Sequence, residues 1–175
     1  MTSPRVRKKL IRTRLAEATI IEKVKPESVA SILERDIEIT IQNWLKLVEQ
    51  DTELTCIPLS RNERMGHLPK LLRDLVLRLR LDTGWASPIS MAARDHGEVR
   101  RRQGYTASML VDESRFLEVS IYSTLQGNLR SVDFSRVLLD VGTIADEVDS
   151  QLEQAMHSYV IPTVISKSRM EELAG

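Results

Sequence analysis

The chain of 175 residues carries one cysteine, Cys56, which has no partner within its own chain for a disulfide. Its fold must rest on an apolar core, and a chain of this length buries one large enough to need neither a bridge nor a structural metal. A lone cysteine fits a reducing cytoplasm, where the protein is expected. No stretch approaches the roughly 20 apolar residues of a membrane span, and no uninterrupted apolar run follows the basic N-terminus as in a signal peptide. Membrane insertion is therefore not expected. Aromatic residues make up only 4% and glycines number seven, beside many Leu, Ile, Arg and Glu residues. That balance favours helix over sheet.

Motifs of nucleotide and metal chemistry are also missing. The seven glycines are isolated, so no Gly-rich loop brings backbone amides to a phosphate. His67, His96 and His157 are far apart in sequence with no His-Glu-x-x-His pattern, and no metal site is expected. Cys56, in Thr-Cys-Ile-Pro, has no neighbouring base to activate it and reads as buried and inert. Lysine plus arginine balance aspartate plus glutamate at 25 each, but Arg5, Arg7, Lys8, Lys9, Arg12 and Arg14 crowd one end. No aromatic residue is interleaved among them to stack on bases, so a solvated helix face is favoured over a nucleic-acid arm.

Helical periodicity is what the chain does have. Leu10, Ile11, Leu15, Ala18 and Ile21 mark a first segment from Arg5 to Val24. Val29, Ile32, Leu33, Ile37, Ile41, Trp44, Leu45 and Val48 mark a second helix from Pro26 to Gln50. A loop from Asp51 should end in a cap at Ser60, followed by a short turn from Arg61 to Met65. A helix over Leu68–Leu81 closes at Thr83-Gly84, and one from Pro88 to Gln103 ends at Gly104. Thr106 caps the next, to about Leu129, and Asp133 caps the last, Phe134–Tyr159. The sequence thus predicts an all-α, single-domain bundle of about six helices over residues 1–160, with 161–175 a linker or short helix.

The densest polar stretch runs from Ala92 to Tyr105 and contains Arg94, His96, Gly97, Arg100, Arg101 and Gly104. His96 suits an axial haem ligand, a phosphoacceptor, or a hydrogen-bonded histidine where Gly97 admits a neighbouring helix, and the last is favoured. Glu113 shares an apolar stripe with Leu110, Leu117 and Ile121, so it is expected to be buried and paired with Arg94 or Arg101. A catalytic cleft in which His96, Arg100 and Glu113 converge on a substrate is the weakest of the readings. Trp44, Gly97 and Gly104 are assigned to helix–helix structure, and no residue is assigned to catalysis. On the last helix Val137, Val141, Ile144, Val148 and Leu152 form a near-heptad seam. An ordinary amphipathic helix explains that spacing, and a dimer or signalling seam is its functional alternative.

The run from Ala93 to Arg100, then Gly104-Tyr105, then Val111 to Leu117, resembles the N-terminal domain of RsbT co-antagonist (RsbRD-type) proteins, which also precedes bacterial sensor histidine kinases. Trp44 and the His67-to-Leu72 segment extend the similarity over most of Ile32 to Met156. The resemblance implies a non-catalytic input domain that relays a signal through its last helix to a protein partner or an attached output domain, as a homodimer. It also makes a globin-like arrangement the alternative to a simple bundle. No cofactor is expected on the leading reading; a haem- or small-ligand-binding sensor using His96 or His67 is the alternative.

Overall fold

The computed structural model describes residues 26–81 and 89–160. They form an all-α bundle of eight helices: α1 (Val29–Arg35), α2 (Ile37–Gln50), α3 (Thr52–Cys56), α4 (Arg61–Met65), α5 (Leu68–Arg80), α6 (Met91–Arg102), α7 (Ala107–Gly127) and α8 (Val137–Val160). The expected helix over Arg5 to Val24, the Thr83-Gly84 and Ser87-Pro88 signals, and residues 161–175 lie outside the described residues.

The single helix expected from Pro26 to Gln50 is two helices joined at a bend. Asp36 leaves the helical region at φ −106° and ψ 24°, yet bonds of helical spacing run through it, from Asp36 N to Ile32 O and from Thr40 N to Asp36 O. Two side chains account for the bend. Thr40 Oγ1 donates back to Asp36 O, a bond that competes with the ladder and opens the turn. The Asp36 carboxylate meanwhile accepts from Arg35 and from Asn128, just beyond α7. The presumed loop after Asp51 contains a one-turn helix, α3, because Asp51 Oδ1 accepts from the backbone of Glu53 and Leu54. Cys56 ends that helix and is exposed, not buried; Leu54 is the residue that α3 turns inward.

Other ends follow their caps. Ser60 and Glu63 form a reciprocal capping box on α4. Ser90 caps α6 and Thr106 caps α7 through Met109 N. Gly104 turns the chain between them at φ +88°, where a side chain would be strained. Asp133 makes an Asx turn with Ser135 N, and α8 begins later than expected, at Val137.

The most extensive packing pairs are α6 with α8 and α2 with α7. α8 also lies against α5 and α7, so its Ile144, Val148 and Ala155 sink into the core at 0%, 4% and 3% exposure. This corrects the dimer-seam alternative. Ile144 and Val148 face the protein's own core, with Val137, Val141 and Leu152 half-buried on its flank. The large apolar side chains that α8 leaves in solvent are Leu138 and Leu139 near its start and Val160 at its end, 85%, 67% and 66% exposed. None of the helices among the described residues is long and apolar enough to cross a membrane.

Candidate functional site

The three stretches that carried the family resemblance converge on one buried polar cluster. α6 brings His96 and Arg100, one turn apart on the face it turns inward, and α7 brings Glu113 from the opposite side. α5 contributes His67 at its N-cap position, and α2 contributes Trp44. Arg100 and Glu113 are almost fully enclosed, 1% and 2% exposed, and their ion pair is short, Nε to Oε2 at 2.9 Å. His96 Nε2 stands 3.3 Å from the same oxygen. Arg94 and Arg101, the expected partners of Glu113, lie elsewhere on α6. Arg94 is exposed and Arg101 half-buried, because a one-residue step rotates a side chain about 100° around a helix.

Arg100 does more than neutralise Glu113. Its guanidinium also donates to Glu63 O at 3.2 Å, Arg64 O at 2.7 Å and Gln103 Oε1 at 2.7 Å, and one nitrogen lies 3.4 Å from His67 Nδ1. It packs over the Tyr105 ring, 4.7 Å from the centroid. Carbonyls at the C-terminal turn of α4 thus depend on a side chain from α6. Arg64 is buried as well, donating to Leu54 O and to the Tyr105 hydroxyl. The His67 and His96 rings stack at 3.9 Å, 15° from parallel, and Trp44 meets His67 edge-on at 5.9 Å. Trp44 Nε1 donates to Glu113 O, fixing the α7 backbone beside the carboxylate.

The charge states follow from these surroundings. Burial pushes the Glu113 carboxyl up, but the His96 contact and the Arg100 charge outweigh it, and the net direction is down, toward the carboxylate. Burial drives both imidazoles below their ordinary value of 6.5, His67 strongly, with the Arg100 charge adding to the effect. The cluster therefore holds one cation, one carboxylate and two neutral imidazoles.

These shifts set a pH dependence. Because both histidine pKa values are depressed on folding, the unfolded chain binds more protons once the pH drops below about 6.5. Stability is complete above that value and is lost as pH falls, with Glu113 adding the same sign below its ordinary 4.5. Denaturant midpoints measured from pH 8 to 5 should fall on the acid side, and a His67→Phe variant should show a shallower fall.

Beside the cluster is a cavity of about 30 Å³, lined by His67, His96, Glu113, Ser114, Gln151 and apolar side chains of α5 to α8. It has room for one or two waters. A porphyrin needs a cleft on the order of 300 Å³ or more, well beyond the volume of this cavity. The same volume bears on the cleft in which His96, Arg100 and Glu113 were to meet a substrate: the three do converge, but on one another. His67, His96 and Glu113 each offer a ligand atom, all within 4.8 Å of one another, so the fold gathers a possible metal-ligand set that sequence spacing did not reveal. His67 and Gln151 reach the site from the start of α5 and the middle of α8, and no local pattern links either to His96.

Gly97 is the point of closest contact between α6 and α8, next to this cluster. A Cβ built there would lie 1.9 Å from Ala155 O and 2.5 Å from Ser158 Oγ, so the α6 backbone touches α8 where only hydrogen fits. Around that contact Ser158 Oγ donates to Arg94 O at 2.7 Å, and the Tyr159 hydroxyl donates to Tyr105 O at 2.8 Å. Gln151 Nε2 adds a bond to Leu71 O on α5. Comparison with protein-family models, with curated proteins and with solved structures finds no match for this chain.

Proposed function

We propose that the chain is a non-catalytic input domain of bacterial signal transduction, similar in role to the N-terminal domain of RsbT co-antagonists and sensor histidine kinases, working in the cytoplasm. The observation that carries this reading is the linkage of a buried ionic cluster to the last turns of α8. The Gly97–Ala155 contact and the Tyr105–Tyr159 bond tie α6 and Tyr105, which packs against Arg100, to the last turns of α8, so a rearrangement of the cluster has a direct route to that end of the helix. An ion pair this deeply buried is a weak source of net stability, and a part in a two-state device is one reason to retain it. His96, Arg100 and Glu113 turn toward one another and away from solvent, which supports a regulatory over a catalytic role.

Partners are then a protein or an attached output domain reached through α8, together with a second copy of the chain. Self-association uses Leu138 and Leu139 in place of the buried seam. Sedimentation should show a dimer that Leu138→Asp dissociates into a folded monomer with unchanged helical content, its melting temperature lower only by the association energy lost. A wild-type monomer at all working concentrations would contradict this.

The functional test is a chimera that joins residues 1–160 through α8 to the catalytic half of a sensor histidine kinase. Glu113→Gln should change its autophosphorylation rate about fivefold or more, the lower end of usual coupling energies. An unchanged rate in a folded variant overturns the reading.

A further inference from the structure

Glu113 has one oxygen on Arg100 and His96, while the other, Oε1, is buried without a hydrogen bond of normal geometry, the Tyr105 hydroxyl being near the carboxylate but not seated on it. A carboxylate oxygen in that position costs free energy unless something occupies its site. Glu113 lines the small cavity together with the two imidazoles whose nitrogens come within 4.8 Å of it and of each other. We propose that His67, His96 and Glu113 bind one imidazole-favouring divalent cation of the Zn²⁺ or Co²⁺ class, and that this ion is what the input domain reads. The inference rests on the input-domain reading for its role, and on geometry alone for the site.

Two imidazoles and a single carboxylate form a donor set for late first-row metals, whereas Mg²⁺ and Ca²⁺ require more oxygen ligands. Metal binds the neutral imidazole, so occupancy falls as pH drops. Arg100 keeps Oε2 and orients the carboxylate from the outer shell, leaving Oε1 for the ion. Donors in a tetrahedral site lie roughly 3.3 Å apart at metal–ligand distances near 2.1 Å. One ligand atom of each residue lies within 4.8 Å of the others, so the set needs to close by roughly 1.5 Å at most. The carboxylate must present Oε1, and the stacked rings must turn so that each nitrogen points at one centre. That turn draws His67 away from Arg100 and Trp44. The cavity leaves space for the ion and a water, and Gln151 of α8 lines it. The adjacent guanidinium opposes a second cation, which keeps the ion exchangeable.

The experiment uses the full chain, made metal-free, carrying Trp85→Phe so that Trp44 is the sole indole. Co²⁺ should quench Trp44 emission and develop ligand-field absorption that saturates at one ion per chain, and Mg²⁺ should do neither. His67→Ala and Glu113→Gln should each weaken Co²⁺ binding at least about tenfold, as loss of a ligand demands, while His157→Ala, at an exposed histidine, should not. If the site variants fail to fold, wild-type NMR decides: Zn²⁺ must shift the ring resonances of His67 and His96 and leave those of His157 in place. Absence of Co²⁺ quenching, or full binding by folded His67→Ala, overturns the site. If the chimera still responds to Glu113→Gln while Co²⁺ does not bind, the ligand falls and the input reading stands. If Co²⁺ binds at the site and the output ignores it, the site stands and its role in input falls.

Discussion

Gly97→Ala should destabilise the protein by at least about 3 kcal/mol, lowering its melting temperature by roughly 6–12 °C. Alanine is ordinarily the better helix residue by about 1 kcal/mol, so propensity alone predicts a gain. Packing reverses the sign. The added Cβ meets a backbone carbonyl at 1.9 Å, and a carbonyl held in a helix cannot rotate aside as a flexible side chain would. α6 and α8 must separate, giving up the Ser158 and Tyr159 bonds. The matched control is Gly142→Ala on the exposed side of α8, where nothing lies within 4 Å of the new atom. That variant should gain up to about 1 kcal/mol. Equal effects at the two glycines would mean that α6 and α8 are not in contact at Ala155.

Arg100→Met should cost about 3–5 kcal/mol, because it leaves Glu113 ionised, enclosed and without its cation. It also strips the carbonyls of Glu63 and Arg64 of their donor, at about 1–3 kcal/mol for each group left unsatisfied. The two contributions separate in a double variant. Adding Glu113→Leu removes the stranded charge but not the orphaned carbonyls, so Arg100→Met/Glu113→Leu should be more stable than Arg100→Met and less stable than wild type. Chemical denaturation of the four proteins in the cycle measures this. A double variant no better than the single would place the whole cost in the carbonyls and none in the ion pair.

Much of this arrangement is legible in the sequence, for reasons that also mark where legibility ends. Gly97 beside His96 reads as a close helix approach, and Glu113 on an apolar stripe reads as a buried, paired carboxylate; both follow from helical period alone. The partner is harder. Choosing Arg100 over Arg94 or Arg101 requires the rotation of α6 to better than one residue, about 100°, and periodicity in so polar a helix does not set it. His67 joins from the start of α5, and its tie to His96 is purely tertiary. Residues 26–50 read as one helix because the apolar stripe runs unbroken through Asp36; the bend goes with the Thr40 back-bond and with the hold of Arg35 and of Asn128, far along the chain, on the Asp36 carboxylate. On α8 a core stripe and a dimer seam have nearly the same spacing, so Ile144 and Val148 fit either until the neighbours are known. Cys56 misleads because Ile57 and Pro58 give an apolar context without setting which way a one-turn helix faces.

If the input reading holds, the Arg100–Glu113 cluster and the end of α8 respond as one unit. Amide hydrogen exchange on wild type and Glu113→Gln, compared peptide by peptide, tests it most directly. Protection should fall together in α6 and in the Gln151–Val160 turns of α8, while α2 from Ile41 to Val48 keeps its protection. Loss confined to α6 and α7, with α8 unchanged, would contradict it.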